Sequence, residues 1–261
     1  MFGLGLVVGG VLLATLMEKR NITSFVHATK LWALSAAGVV FGGRLFYLLI
    51  YGWHGSLLGS FAAASGGEVF YGGLLCGAAV GYFVIRRWAL PLGDTLDCAA
   101  VAVPFGHAFG RIGCFLGGCC HGKVTSSCIG VRYPRLIDAE GQVVGSPAFL
   151  LQLKEGKISE LAQASLPVYP VQLFEACFLI GLGILGLWLW SRGALRGRLF
   201  FVVVLCYCVW RFIIEEFRVN EEIVLGLTVY QVLSLVIGSA AAVLLLRSKA
   251  LSSRSARAGL G

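Results

Sequence analysis

The chain has 261 residues, of which 58% are hydrophobic and only 13% are charged. Soluble proteins are about 45–50% apolar and about 25% charged, so this composition excludes a water-soluble globule. The low charge also excludes a disordered chain, and nine cysteines are too sparse for a compact disulfide scaffold. The composition therefore predicts a protein of the lipid bilayer. The formal net charge of +8 is then interpreted by position, because Lys and Arg set the orientation of membrane helices, and nucleic-acid binding has little support.

Seven apolar stretches are long enough, or nearly so, to form membrane-spanning helices, which need about 20 apolar residues. They lie at residues 1–17, 32–52, 69–85, 95–118, 170–191, 199–217 and 225–246. The sequence therefore predicts an all-α integral membrane protein with seven transmembrane helices. The first stretch has neither a basic start nor a small-residue cleavage site, so we do not expect it to be removed as a signal peptide.

Basic residues gather in the connections after the first, third, fifth and seventh predicted helices. They are Lys19, Arg20, Lys30, Arg86, Arg87, Arg192, Arg196, Arg198, Arg247, Lys249, Arg254 and Arg257. The positive-inside rule places these connections in the cytoplasm. The N-terminus is then expected outside and the C-terminus in the cytoplasm.

The predicted organisation is one membrane domain over residues 1–261, with a long periplasmic-side loop at 119–169 and a basic cytoplasmic tail at 247–261. Because a structureless loop of that length is uncommon, we expect a local helix around residues 147–162. Residues 110–122 contain five glycines. Glycine disfavours a helix interior by about 1 kcal/mol relative to Ala, so we expect the fourth helix to break there and to line a cavity.

Three arginines fall in the outer halves of three different predicted helices: Arg44, Arg111 and Arg211. An uncompensated charge in a membrane costs from about 3 kcal/mol upward, so such residues indicate a functional site by default. Snorkelling to the interface and structural ion pairing are the ordinary alternatives. Three guanidinium groups at one depth repel each other unless an anion or water compensates them. The pattern favours an anionic ligand from the outer leaflet, because the guanidinium fork matches phosphate.

The sixth predicted helix carries a stripe of polar residues spaced four, four and three positions apart: Tyr207, Arg211, Glu215 and Arg218. This spacing places them on one helix face. Glu215 lies one turn above Arg211 and is expected to orient it and partly neutralise it.

These residues resemble one family, the bacterial prolipoprotein diacylglyceryl transferases. The similarity covers nearly the whole chain, in the family's order, at residues 2–4, 43–51, 70–74, 97–104, 110–122, 170–175, 207–218 and 226–235. The resemblance implies an enzyme that moves a diacylglyceryl group from phosphatidylglycerol to the lipobox cysteine in the signal peptide of a prolipoprotein. It also implies a location in the bacterial cytoplasmic (inner) membrane, an active site toward the outer leaflet, and no cofactor.

The reaction gives the candidate residues their expected roles. Arg111 and Arg211 would hold the phosphate and stabilise the charge on the leaving group. Glu215 and Tyr207 would orient Arg211, and Gln172 would hydrogen-bond the head group. The other candidate substrate-binding residues are Arg44, Gly113, Cys114 and Arg218.

Several positions depart from the family's pattern. Tyr71 stands where the family has His, and Phe2 replaces its opening Tyr. Cys114, Gly117 and Cys119 replace two Asn and a Glu of its signature. If the family His removes the thiol proton, Tyr71 takes that catalytic role and is a poorer base near neutral pH, because its reference pKa is about 10 and it is mostly protonated there. We therefore expect a divergent member, and the alternative is a paralogue that uses a different lipid or acceptor, or is inactive.

A cluster of potential thiol ligands follows the fourth predicted helix: Cys114, Cys119, Cys120, His121 and Cys128. It lacks the C-x-x-C pairs typical of metal sites, so no metal site is predicted. A disulfide from Cys128 to Cys119 or Cys120 is compatible with the oxidising outer side, and packing as small apolar residues is the simplest alternative. A membrane thiol-redox or metal-binding protein remains a second alternative function. A transporter is less favoured, because the charges gather toward one face and not at the midplane.

Overall fold

The computed structural model describes residues 1–51, 70–137, 139, 141 and 143–258. Within that part of the chain, the helices are α1 Phe2–Lys19, α2 Phe25–Tyr51, α3 Phe70–Arg87, α4 Leu92–Gly117, α5 Pro147–Lys154, α6 Val171–Ser191, α7 Leu199–Ile214 and α8 Val229–Ala258. A short 3-10 helix, Glu215–Phe217, continues α7. Long apolar runs form helices in a bilayer because a helix satisfies its own backbone hydrogen bonds.

Five of these helices contain stretches that are long and apolar enough to cross a membrane. They are Phe2–Lys19, Phe25–Leu49, Leu92–Gly117, Val171–Ser191 and Val229–Arg247. The protein is therefore a multi-pass, helical membrane protein, as its composition predicts. The 18-residue α3 and the 16-residue α7 are not among the five by this measure, so the predicted count of seven is met only in part.

The helices pack as a bundle in which α4 contacts both α1 and α6, while α2 packs on α3 and α7 on α8. Glycine allows the closest approaches. A Cβ atom at Gly42 of α2 would overlap the backbone oxygen of Gly72 in α3. Small residues at such crossings let membrane helices gain van der Waals contact.

Charged residues tie together the ends of four helices at one end of the bundle. Arg20 follows α1 and pairs with Asp94 of α4 at 3.2 Å, and its guanidinium lies 4.5 Å from the ring centre of Trp190 in α6. Arg196 pairs with the same Asp94 at 2.7 Å. The Asp97 carboxylate accepts hydrogen bonds from the backbone N–H groups of residues 197 and 200, at the start of α7. Asp97, which the sequence places at the end of a span, therefore has a structural role.

The segment between α4 and α6 is ordered by a small hairpin and by α5. Strands β1 Arg135–Ile137 and β2 Val143–Gly145 pair antiparallel, with Leu136 opposite Val144. Ser146 caps α5, because its Oγ accepts the Phe149 N–H at 3.3 Å. The predicted local helix is present but ends at Lys154, earlier than residue 162.

A second hairpin, β3 Glu222–Val224 with β4 Leu227–Thr228, lies between α7 and α8. The all-α prediction holds for the membrane part and is wrong for these loops, where backbone groups have no helix to satisfy them. At the far end, α8 runs on to Ala258, so the predicted tail is helical as far as that residue.

The glycine-rich segment at residues 110–122 ends α4, as the sequence predicts, but only after its first two glycines. The helix continues through Gly110 and Gly113 to Gly117 and ends at Gly118, which has a φ of 68° in the left-handed region. In a bilayer a broken helix leaves backbone groups unsatisfied, and this outweighs a glycine cost of about 1 kcal/mol per residue. Gly113 has a packing role, because a Cβ atom added at this position would lie only 3.0 Å from Cβ of Met1, which packs against α4 there.

Candidate active site

A buried ion pair joins α4 to α6 at the end of the bundle opposite Arg20. The Arg111 guanidinium lies 3.1 Å from Oε1 of Glu175, whose side chain is completely buried. The Tyr207 hydroxyl of α7 donates to the same oxygen at 2.9 Å. Nε2 of His107, one turn before Arg111, lies 4.0 Å from it. Glu175 is thus the meeting point of three membrane helices.

A second ion pair lies at the end of α7. Nη1 of Arg211 is 2.6 Å from Oε2 of Glu215, one turn further along. Glu215 is buried and also accepts hydrogen bonds from the side chains of Asn220 and Thr228. The Arg211 guanidinium lies 4.5 Å from the ring centre of Tyr230 in α8. These contacts hold Arg211 in one orientation, as the four-residue spacing predicts.

The two ion pairs belong to one electrostatic cluster, because the Glu175 carboxylate interacts with both Arg111 and Arg211. Among the described residues of this cluster, the buried Nε of Arg111 has no hydrogen-bond partner, while Nε of Arg218 lies 3.5 Å from Oε2 of Glu215. The unbonded N–H of a guanidinium is a strong donor to an anionic oxygen. The cluster therefore combines fixed positive charge with an unused donor on Arg111.

Two expectations about these arginines need correction. From the sequence we expect an anionic ligand to compensate the charges of these arginines. In the structure Arg111 and Arg211 already have protein carboxylates as partners, Glu175 and Glu215 respectively. The sequence also leads us to expect that Tyr207 orients Arg211, but its hydroxyl donates to Glu175, the partner of Arg111. Tyr207 points that way because it lies one helical turn before Arg211, at the depth of Arg111.

Gln172 lies beside the cluster but has a different contact from the one expected. It is fully buried, and its Nε2 donates to the backbone oxygen of Cys119 at 2.8 Å and to the Tyr133 hydroxyl at 3.4 Å. Its amide thus fixes the segment that follows α4. Arg218 acts on the same segment, since its Nη1 donates to the backbone oxygen of Cys120 at 3.2 Å.

The remaining candidates lie on α2, α3 and α4. Arg44 is buried on α2, with its guanidinium 5.5 Å from the ring centre of Tyr47. Tyr71 lies in the first turn of α3, and its side chain is outside the described part of the structure. Gly113 contacts Met1, as described above. The roles of these residues in binding or catalysis stay predictions.

The thiols of Cys114, Cys119 and Cys120 meet just beyond Arg111. Their three Sγ atoms all lie within 4.8 Å of one another. Hydrogen bonds from the Cys114 and Cys119 thiols lower the pKa of the Cys120 thiol, and the nearby Arg218 and Arg111 act in the same direction. The pKa of Cys119 is raised, because its thiol is hydrogen-bonded to Cys114 and Cys120. The spacing of these cysteines gives no sign of this convergence.

All nine cysteines belong to the described residues, and all are free thiols in the structure. The disulfide from Cys128 to Cys119 or Cys120, one of the alternatives that the sequence left open, is therefore not formed in this structure. Cys128 is exposed and lies outside the group of three. His121, which the sequence groups with the cysteines, instead hydrogen-bonds through Nδ1 with the backbone oxygen of Gly122 at 3.0 Å.

Glu175 is the residue that sequence reasoning missed as a member of the site. The available signal was a carboxylate within a predicted span, five residues into the stretch at 170–191. A buried acid in a membrane helix needs a partner, and a buried arginine elsewhere is the simplest one. The sequence could not indicate which arginine this is.

Comparison with known proteins gives the family. The family model described as prolipoprotein diacylglyceryl transferase matches residues 1–247. A phosphatidylglycerol-prolipoprotein diacylglyceryl transferase of Xylella fastidiosa is 37% identical over 198 residues, which cover 71% of this chain and 64% of the relative. One of Stenotrophomonas maltophilia is 35% identical over 226 residues, covering 81% and 73%. A Clostridium perfringens transferase, numbered 2, is 28% identical over 240 residues, covering 87% and 80%. With a match over residues 1–247, the chain belongs to the prolipoprotein diacylglyceryl transferase family.

Proposed function

We propose that this protein transfers the diacylglyceryl group of phosphatidylglycerol to the lipobox cysteine thiol of prolipoproteins. The supporting observation is that Arg111 and Arg211, from two different helices, are each held by a buried carboxylate, Glu175 and Glu215 respectively. The named relatives act in this reaction, and the cluster provides what it needs: an anionic lipid head group must be bound, and charge must be stabilised on its phosphate as it leaves.

The proposed transfer breaks the bond between the glyceryl carbon of the diacylglyceryl group and the phosphate oxygen. The thiolate sulfur of the acceptor forms a thioether with that carbon, and glycerol phosphate leaves with the electron pair. Arg111 and Arg211 stabilise the negative charge on the departing phosphate. Glu175 and Glu215 hold the guanidinium groups in place before the lipid arrives, which reduces the reorganisation that the reaction requires.

The acceptor thiol must also lose its proton before the sulfur can attack the glyceryl carbon. We assign its removal to Tyr71 at the start of α3, the position that the family resemblance indicates. The phenolate form of Tyr71 is the proton acceptor, and little of it is present near neutral pH because the reference pKa of tyrosine is about 10, so this step is the one in which the protein would differ most from a histidine-containing relative.

For the topology we propose seven transmembrane helices, because the ends of the helices alternate between two sides. The Arg20–Asp94 pair places the end of α1 and the start of α4 on one side. Since α2 runs away from that side, the chain has to return through α3. Likewise, α7 begins beside Asp97 and ends at the Arg211–Glu215 pair. Thus α3 and α7 supply the two crossings beyond the five apolar spans.

We further propose that the side with Arg111 and Arg211 faces the periplasm and that the membrane is the bacterial inner membrane. The basic residues of the Arg20 side agree with a cytoplasmic location. On this proposal residues 1–261 form one membrane domain, with residues 119–169 as its periplasmic-side loop and residues 247–261 as its cytoplasmic end.

The test is a transfer assay with the purified protein in detergent, phosphatidylglycerol labelled in its acyl chains, and a synthetic lipobox peptide. Transfer of label to the peptide is expected from the parent protein. Arg111→Ala and Arg211→Ala should each lower it by about a hundredfold or more, the loss typical of removing one donor to a developing anion. Arg132→Ala is the matched control, since Arg132 is exposed on the loop, and it should retain full activity.

Two results would contradict the proposal. Unchanged transfer in both arginine variants would remove these side chains from the reaction. No transfer by the parent, under conditions in which a named relative is active, would indicate a different lipid or acceptor, or an inactive relative.

A further inference from the structure

Three cysteine thiols converge at the point where α4 ends, and the steps of the proposed transfer give none of them a chemical role. The Sγ atoms of Cys114, Cys119 and Cys120 lie within 4.8 Å of one another. Packing as small apolar residues does not explain why the three sulfur atoms are neighbours, since a thiol packs equally well against carbon atoms. A common point for three sulfur atoms is the arrangement of a metal ligand set.

The backbone of two of these residues is held in place from outside the group. Gln172 donates to the carbonyl of Cys119 and Arg218 to that of Cys120. Cys120 has a φ of 56°, in the left-handed region that disfavours a side chain. Strain of this kind persists only where the surroundings impose it, and it is found at binding sites. Here it turns the Cys120 thiol toward the other two.

We propose that Cys114, Cys119 and Cys120 bind one Cu(I) ion through three thiolates. Thiolates are soft ligands and select soft ions. Structural zinc sites are almost always tetrahedral with four protein ligands. Among the described residues, the group contains three ligand atoms and no carboxylate or imidazole, and Cu(I) is stable with three sulfur ligands. Cys120 is exposed, so the ion can enter.

The charges around the group favour this occupant. Binding releases three thiol protons to the solvent, and one Cu(I) with three thiolates carries a net charge of minus two. Arg111 and Arg218 both interact electrostatically with the Cys120 sulfur. Two guanidinium groups therefore offset the charge of the complex without any change in the fold.

The experiment measures Cu(I) directly and does not depend on lipid transfer. The purified full-length protein, reduced and in detergent, competes with a coloured Cu(I) chelator such as bicinchoninate. We expect one Cu(I) bound per chain and a thiolate-to-metal absorption band in the ultraviolet. Cys114→Ser, Cys119→Ser and Cys120→Ser should each weaken the affinity by at least about tenfold, the smallest loss usual even for residues behind the ligands. Cys128→Ser and Cys177→Ser, which remove exposed thiols outside the group, are the controls and should bind as the parent does.

Three results would overturn the proposal. One is an affinity for Cu(I) no greater than that of the triple serine variant. Another is preferential retention of Zn(II) over Cu(I) by the reduced protein. The third is equal loss of binding in the control variants. The thermal unfolding midpoint of each variant distinguishes loss of the metal site from loss of the fold. Cys119→Ala repeats the binding measurement with a side chain that cannot form a hydrogen bond.

Discussion

Glu175 connects the residues of the candidate active site, because it compensates the charge of Arg111 and accepts a hydrogen bond from the Tyr207 hydroxyl while its own side chain is completely buried. Removing one partner of a buried ion pair costs about 3–5 kcal/mol, since the other charge stays buried and unpaired. The pair therefore contributes to stability mainly through the penalty for breaking it. In function it keeps Arg111 oriented until an anion arrives.

We predict that Glu175→Gln lowers both stability and transfer. The substitution leaves the Arg111 charge without a carboxylate, so the thermal unfolding midpoint in detergent should fall and labelled transfer should drop by about tenfold or more. Tyr207→Phe removes only one hydrogen bond, worth about 1 kcal/mol, and should lower transfer by no more than about tenfold. The control is Glu216→Gln, which alters an exposed carboxylate at the same end of the bundle. Equal unfolding midpoints and equal transfer rates for Glu175→Gln and Glu216→Gln would show that the Arg111–Glu175 pair contributes to neither stability nor activity.

A second prediction concerns the replaced base. Tyr71→His introduces a group with a pKa near about 6.5, which is a better proton acceptor at neutral pH than a phenol. Transfer should therefore rise or stay constant, and the gain should be largest above about pH 6.5, where the imidazole is neutral. Rates measured between about pH 5.5 and 8.5 check this. A collapse of activity at every pH, with stability unchanged, would mean that the phenol has a role of its own.

At the residue scale, local spacing predicts local pairs only. The Arg211–Glu215 contact follows from two positions one turn apart on one helix, and the structure confirms it. The Arg111–Glu175 contact joins residues far apart in the chain and on different helices, so no period in the sequence reports it. Cys114, Cys119 and Cys120 are close in the chain, but whether their thiols meet depends on where α4 ends and how the backbone turns after it.

Among the helices, the α2–α3 pair depends most on the absence of side chains. A Cβ at Gly42 would overlap both Cβ of Cys76 and the backbone oxygen of Gly72. Backbone cannot move aside as a flexible side chain can. A methyl group at this crossing would have to push the two helices apart.

We predict that Gly42→Ala destabilises the protein by about 1–3 kcal/mol, the usual cost of overpacking. Gly181→Ala is the matched control on α6, because nothing lies within 4 Å of a Cβ there. Ala is the better helix former by about 1 kcal/mol, so the control should be neutral or stabilising. Thermal unfolding followed by circular dichroism in one detergent compares the two. A lower unfolding midpoint for Gly181→Ala than for Gly42→Ala would contradict the conclusion that the α2–α3 crossing requires glycine at position 42.

Element by element, composition predicts the helices well and their ends less well. Apolar length gives the position of a span, because the bilayer requires it. The predicted end of α4 at residue 118 agrees with the structure to within one residue. The glycines at 110 and 113 do not end the helix earlier, since glycine propensity measured in water does not carry over to a segment that has no water to bond its backbone. The two loop hairpins contain only two or three residues per strand, too few for an alternating pattern to be recognised.

On the scale of the whole molecule, the two ends of the bundle have different chemistry. At one end the pairs around Asp94 are exposed or half-buried and lie beside the buried Asp97, whereas at the other end both ion pairs are made by fully buried carboxylates, Glu175 and Glu215. Surface pairs contribute about 0–1 kcal/mol, whereas buried ones are costly to break. This difference suits a protein that is anchored on one side and binds a ligand on the other.

The proposed orientation predicts which loops a membrane-impermeant reagent reaches. Glu160→Cys and Arg192→Cys place thiols at exposed positions on opposite sides of the bundle. In intact spheroplasts, an impermeant maleimide should label the first variant above the parent background and the second only after permeabilisation. The opposite pattern would invert the topology, and labelling of both in intact cells would reject the crossing assigned to α6.

The sequence by itself determined that the chain lies in a membrane, which family it belongs to, and which arginines are candidates for the site. The comparisons and the structure confirm the first two conclusions. These conclusions rest on composition and on residues close together along the chain. Only the tertiary structure decided that Glu175 compensates Arg111, that Gln172 holds a loop, and that three thiols share one point. The contacts of Glu175 and Gln172 depend on the relative depth and rotation of separate helices, which packing sets and no local pattern encodes. The meeting of the thiols depends on how the backbone turns directly after α4.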